Sequence, residues 1–173
     1  MTEMIEPIAR RSFVAGRLVA DFPPRFGHGN KQVVHAIACP PGCVHSGSIE
    51  FTRWPAIPLP ETVGDGGQEP VYEAREEFFD YRPVPEGSRA VEWHLNFAHT
   101  DLFCAYGGVL FAQDEMQVAE HPALASLREA LLHSDILPRT TEGGMPTPVL
   151  IMGVERRCRV STDRDARLGR PEG

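Results

Sequence analysis

A pair of glycines and a pair of carboxylates lie close together near the middle of the chain. Gly107 and Gly108 follow a predicted strand, and Gln113-Asp114-Glu115 opens a predicted helix. Glycine lets backbone N–H groups approach an anion, which the positive end of a helix also attracts. The pattern is therefore a candidate pyrophosphate-binding turn with two acids beside it. Two simpler interpretations stay open: a plain turn, and acids that only complement the helix dipole.

Four potential metal ligands fall within one short stretch in the pattern H-x3-C-x3-C-x-H. They are His35, Cys39, Cys43 and His45. Thiolate and imidazole are ligands that zinc prefers, although this spacing matches no common zinc finger. Small cysteines are often simply buried, and a strand here would put the four side chains on different faces. The sequence therefore favours side chains without a metal, and a zinc-supported domain stays an alternative.

Hydrophobic periodicity predicts the elements that position the glycines and the acids. Residues 90–98 alternate apolar and polar residues as a strand does, and Ala112, Met116 and Ala119 recur with helical spacing up to Pro122. A second helix carries Leu124, Leu127 and Leu131 and ends near 133–138, before an apolar run at 148–154 that suits a strand buried on both faces. The order strand, loop, helix, helix, strand predicts an α/β crossover.

The rest of the chain divides into weakly and strongly patterned segments. We expect an irregular N-terminal arm over 1–30, an α/β region over 31–160 and a polar, mobile tail over 161–173. Within the α/β region, residues 33–38 and 48–54 have strand composition, and 55–70 is rich in turn residues. Residues 71–81 suit a strand or a helix equally well.

Composition limits the class of protein. The 173 residues fit one domain, and 42% hydrophobic with 24% charged residues is ordinary for a soluble globular protein. The net charge of −7 is unlike that of a protein that binds nucleic acid in bulk. Because no apolar run is long enough to span a bilayer and the four cysteines suggest reduced thiols, we expect a cytoplasmic location without a membrane partner.

Motifs in the second half of the chain occur in a recognisable order. They are Asn96-Phe97-Ala98, Tyr106-Gly107-Gly108-Val109-Leu110, Gln113-Asp114-Glu115 and Glu120-His121-Pro122-Ala123-Leu124. This order resembles the poly(ADP-ribose) glycohydrolase family of the macrodomain superfamily, in which D-F-A-N, G-G-G, Q-E-E and N-P-E-L follow one another. Residues 148–155 are similar to the next core strand of that family. The resemblance covers about residues 90–160, the N-terminal part of the family domain.

The resemblance implies an α/β fold in which a macrodomain-like mixed sheet is flanked by helices. It also implies hydrolysis of the O-glycosidic bond in ADP-ribose polymers or conjugates, with Glu115 as general acid and then base, and with Asp114 holding ribose hydroxyls. The ligand-binding residues that it implies are Asn96, Tyr106, Gly107, Gly108, Val109 and Gln113. Phe103 and Tyr106, beside the loop, would cover a sugar or base, or else belong to the hydrophobic core. No cofactor is implied, and the partner would be ADP-ribose or an ADP-ribosylated substrate.

Departures from the family motifs keep a second function open. Asp114 stands where the family has a glutamate, Asn96 stands where it has an aspartate, and the loop between Gly108 and Gln113 is short. A chain with these changes is alternatively a non-catalytic ADP-ribose-binding module. The sequence does not indicate an oligomeric state.

Overall fold

A computed structural model describes residues 5–58, 72–74 and 87–160. The chain divides into two compact units, one formed by Met1–Ile57 with Asn96–Val160 and the other by Pro58–Leu95 with Ser161–Gly173. The described residues form a mixed α/β structure with four helices and small antiparallel sheets. The predicted tail, most of segment 71–81 and most of the loop at 55–70 lie outside the described residues.

All helices and strands of the described residues belong to the first unit. In chain order they are β1 (Ala9–Val14), α1 (Ala15–Asp21), α2 (Gly29–Ala38), β2 (Ser48–Arg53), α3 (Gln113–Glu120), α4 (Ala123–Leu132), β3 (Thr141–Glu142), β4 (Met145–Pro146) and β5 (Val149–Met152). Within these ranges, no helix has the length and hydropathy that a membrane-spanning helix requires.

The main sheet has the order β1-β2-β5, and both strand pairs are antiparallel. Ile49 and Phe51 of the central strand are almost completely buried, because alternate residues of a strand point to the same face. Leu150 and Met152 of β5 point to the other face and are exposed. The strand at 148–154 is thus confirmed, whereas its burial on both faces is wrong. The predicted α/β crossover is also wrong, because residues 90–98, its first strand, form no strand in the described part of the chain.

The two helices after the glycine pair are confirmed. Helix α3 begins at Gln113 and ends just before Pro122, and α4 follows from Ala123. Leu124, Leu127 and Leu131 of α4 lie in the hydrophobic core, with α1 packed against α4. Almost every residue of α4 is buried, as expected for a helix that is enclosed on several sides.

Residues 33–38 form part of α2, so the predicted strand is wrong. Lys31, Val34, His35 and Ala38 are the buried or half-buried residues, and their spacing is helical. Val33 and Ile37, whose β-branched side chains favoured a strand, are exposed. The helical period is visible only when Lys31 counts as a buried residue.

Two further predictions about local structure are wrong. The N-terminal arm expected to be irregular contains β1 and α1, which contribute Ala15 and Leu18 to the core. Residues 90–98, predicted as a strand, belong to no strand in the described part of the chain, and Val91, Trp93 and Leu95 are exposed. Alternation of apolar and polar residues therefore does not by itself show that a segment forms a strand.

Shortening a core side chain tests the burial of β2. Replacing Ile49, which is 1% exposed, with valine should lower the free energy of unfolding by about 1 kcal/mol. The matched control is Ile37→Val on α2, where the side chain is 68% exposed and the loss should be too small to measure. Urea unfolding of both variants gives the comparison. Equal stabilities would contradict the placement of Ile49.

Candidate functional site

The first turn of α3 places Glu115 with its carboxylate against the backbone. The N–H of Ala112, the residue before the helix, donates to Glu115 Oε2 at 2.8 Å. Alanine has no side-chain acceptor, so this contact supplies only one half of a capping box. Glu115 is 2% exposed and Asp114 is also buried, which sets these acids apart from the exposed acids usual in a first helical turn.

Burial changes the acidity of Glu115. Removal from water raises the pKa of its carboxyl group, and the neighbouring Asp114 raises it further, while the Ala112 N–H acts in the opposite direction. Asp114 Oδ1 also accepts the Glu115 backbone N–H at 3.0 Å. Glu115 therefore keeps its proton to a higher pH than an exposed glutamate, as a general acid must.

Lys31 of α2 is affected by the charges of both acids, and the sequence analysis did not single it out. Its side chain is buried, and its ammonium nitrogen is 4.3 Å from the centre of the Phe111 ring. Within the described ranges this nitrogen has no hydrogen-bond partner. Burial lowers the pKa of Lys31, and the charges of Glu115 and Asp114 oppose that shift. The buried Lys31 is thus close enough to the two acids for their charges to act on it.

The raised pKa of Glu115 predicts how stability depends on pH. An unfolded glutamate titrates near 4.5, whereas the folded chain holds this proton to higher pH. Between those two pKa values the native state binds more protons, so the free energy of unfolding should fall as pH rises from about 4.5 through the folded pKa. Glu115→Gln should lack this contribution. Urea unfolding of parent and variant across this range measures it, and parallel profiles would contradict the burial effect.

The loop that contains the two glycines is built from successive turns. The N–H groups of Cys104, Tyr106 and Gly108 each donate to the carbonyl three residues earlier, at 3.2, 3.2 and 2.9 Å. The Gly107 carbonyl accepts the Gly27 N–H at 2.9 Å, and a Cβ on Gly107 would overlap the Arg25 carbonyl oxygen. Gly107 is therefore required for the close contact of this loop with residues 25–27.

The same loop borders an open depression of about 380 Å³. Its lining includes Arg25, Tyr106, Gly107, Gly108, Arg128 and Glu129. This volume falls within the range of small-molecule sites. Arg25 Nε is 3.2 Å from Glu129 Oε2, and Arg128 contacts both carboxylate oxygens of Asp101, so both guanidinium groups already have acidic partners.

A second cavity lies between α2 and α3 and is much smaller. Its volume is about 10 Å³, room for roughly one water molecule. Lys31, His35, Tyr106 and Val118 are among the residues that line it. Glu115 lines neither this cavity nor the depression.

The predicted site residues fall into two groups. The first group lies at α3, which carries Gln113, Asp114 and Glu115. Asn96 Nδ2 donates to Gln117 Oε1 at 2.6 Å, and the Phe97 N–H donates to Gln113 Oε1 at 2.8 Å. Residues 96 and 97 are therefore hydrogen-bonded to this helix.

The second group lines the depression. It consists of Tyr106, Gly107 and Gly108. The buried Tyr106 hydroxyl accepts the Arg25 N–H and donates to Glu129, each at 2.7 Å, and burial raises its pKa. Val109 is exposed and Phe103 is buried in the core.

The cysteine and histidine cluster of the sequence is partly assembled. The sulfur atoms of Cys39 and Cys43 and a ring nitrogen of His45 all lie within 4.8 Å of one another. Cys39 Sγ is 3.6 Å from His45 Nε2. Burial raises the pKa of the Cys39 thiol to about 11, and the adjacent Cys43 adds to the shift. His35 lies one helical turn before Cys39 but outside this set. Because α2 is a helix, the objection that a strand would separate these side chains does not apply.

Comparison with models of protein families, with curated proteins and with solved structures finds no match to this chain.

Proposed function

We propose that the chain is an ADP-ribosyl glycohydrolase in which Glu115 is the general acid and base. The observation that carries the proposal is the almost complete burial of this carboxyl group, whose pKa is raised beside Asp114. Glycoside hydrolysis needs a carboxylic acid that is still protonated at the working pH. Glu115 donates its proton to the departing ribose oxygen, and the resulting carboxylate then removes a proton from the attacking water.

Lys31 has a supporting role in this proposal. Once Glu115 has given up its proton, two buried carboxylates lie side by side, and their repulsion opposes the ionised state. The buried ammonium group of Lys31 interacts favourably with both acids. It therefore limits how far the pKa of Glu115 rises and stabilises the carboxylate that must act as base.

In this proposal the substrate binds in the depression beside Gly107 and Gly108, which has the volume of a small-molecule site. A diphosphate bound there takes the place of Glu129 beside Arg25 and of Asp101 beside Arg128. The guanidinium groups of both arginines are suited to binding phosphate. Because Glu115 does not line the depression, the scissile ribose reaches the start of α3 only if the glycine loop moves.

A second candidate is a non-catalytic ADP-ribose-binding module. A specific observation favours it: Glu115 caps its own helix and lines neither the small cavity nor the depression, whereas the glycines line the depression, which is large enough for a ligand. In this case the depression binds ADP-ribose, and the buried acids serve the fold alone.

Two measurements on the full chain separate these candidates. Release of ADP-ribose from poly(ADP-ribose) and from a mono-ADP-ribosylated protein tests turnover, and titration calorimetry with ADP-ribose tests binding. Release supports the glycohydrolase, and binding without release supports the module. Absence of both would overturn the two proposals together.

A further inference from the structure

Three side chains with the chemistry of zinc ligands converge at the C-terminal end of α2. Cys39 ends the helix, Cys43 follows a turn, and His45 lies just before β2. Their ligand atoms are mutually within 4.8 Å, a separation that a tetrahedral ion could bridge, since zinc lies about 2.3 Å from sulfur and about 2.0 Å from imidazole nitrogen. His45 is buried and both cysteines are half-buried, so water competes weakly for the ligands.

The loop that carries the ligands is held in place by backbone contacts. The Cys39 N–H donates to the His35 carbonyl at 2.7 Å, which continues α2 to the first ligand. The Cys43 N–H donates to the Pro40 carbonyl at 3.0 Å, and Gly42 adopts the positive φ of 82° that this turn requires. The spacing between Cys39 and Cys43 is therefore set by a closed turn.

Arg157 holds the same loop by hydrogen bonds to its backbone. Its guanidinium group donates to the Ala38 carbonyl at 3.3 Å and to the Val44 carbonyl at 2.9 Å, the residues immediately before Cys39 and His45. Glu155 accepts from Arg157 at 2.7 Å and from the Ser46 hydroxyl at 2.7 Å. Arg157 and Glu155 thus position both ends of the loop from Cys39 to His45, although neither is a ligand. In many metal sites, residues that hydrogen-bond near the ligands orient them in the same way.

We infer that Cys39, Cys43 and His45 bind one Zn²⁺ ion, with water in the fourth position. Two thiolates and one imidazole form a soft donor set that suits zinc, and two thiolates balance the charge of the ion. The ion would join the end of α2 to the start of β2 and so stabilise the first unit. This site is independent of the proposed glycohydrolase activity, because none of its ligands belongs to α3 or to the depression.

The test uses the full chain, purified with a non-chelating reductant and titrated with zinc alone. We expect one zinc per chain by elemental analysis. Each of Cys39→Ser, Cys43→Ser and His45→Ala should weaken zinc binding more than about 100-fold, because loss of an outer contact alone costs about 10- to 100-fold. The matched control is Cys104→Ser, since Cys104 Sγ also lies 3.5 Å from a histidine, His99, but belongs to no three-ligand group among the described residues. Its zinc affinity should equal that of the parent.

A measurement on the parent chain avoids any dependence on the folding of the variants. Co²⁺ in place of zinc should produce a thiolate-to-cobalt charge-transfer band and the strong visible absorption of a tetrahedral ion. A parent chain with reduced thiols that takes up no zinc would overturn the inference. So would cobalt absorption without a thiolate band, or an unchanged zinc affinity in folded Cys39→Ser and Cys43→Ser chains.

Discussion

Replacing Glu115 with glutamine is expected to lower the rate of ADP-ribose release about 100- to 10,000-fold, the usual contribution of general acid and base catalysis. The amide of glutamine retains an oxygen that can accept the Ala112 N–H, now accepted by Glu115 Oε2 at 2.8 Å. The variant therefore keeps the helix cap but has no proton to donate. The measurement is the initial rate of release from poly(ADP-ribose) and from a mono-ADP-ribosylated protein.

The control for this substitution is Glu142→Gln. Glu142 is an exposed acid of the short strand β3 and takes no part in the proposed site, so its loss should leave the rate unchanged. Thermal unfolding of both variants shows whether they remain folded. If the folded Glu115→Gln chain releases ADP-ribose as fast as the parent, Glu115 is not the general acid.

Replacing Gly107 with alanine should lower the free energy of unfolding by about 3 kcal/mol, near the upper end of the cost of overpacking. The added Cβ would overlap the Arg25 carbonyl oxygen, which is backbone and cannot rotate away. The loop would have to separate from residues 25–27 and lose the Gly27 N–H bond to the Gly107 carbonyl. Urea unfolding at a pH where both chains are folded measures the difference.

The adjacent glycine is the matched control. A Cβ on Gly108 would lie 3.5 Å from the Ala105 carbonyl oxygen, an ordinary contact, so Gly108→Ala should change stability by less than about 1 kcal/mol. If the diphosphate of ADP-ribose lies against this loop, Gly108→Ala should weaken binding while stability is kept. Equal stabilities of the two alanine variants would contradict the close contact at Gly107.

The elements that follow the glycine pair could be predicted because their signals are local. The start of α3 at Gln113, the break at Pro122 and the leucine stripe of α4 all depend on residues within one or two helical turns. Helix boundaries of this kind follow from proline geometry and apolar spacing. The pair of acids at the start of α3 was likewise recognised from the sequence.

The failures share a different cause, because each depended on what a segment contacts. The β-branched residues of 33–38 suggested a strand, so the helical period of α2, which includes the buried Lys31, was missed. The alternation at 90–98 indicated an apolar face, yet Val91, Trp93 and Leu95 are exposed. Periodicity describes which residues could share a face, and packing decides whether that face is buried.

By itself, the sequence determined two helices, two of the three strands in the main sheet, the break at Pro122 and the residue types available for chemistry. Tertiary structure decided the antiparallel order β1-β2-β5, the removal of Glu115 and Lys31 from water, and the meeting of Cys39, Cys43 and His45. Local propensity acts within a few residues of the chain. Desolvation and ligand geometry depend on groups that are distant in sequence, and only the packed chain brings those groups together.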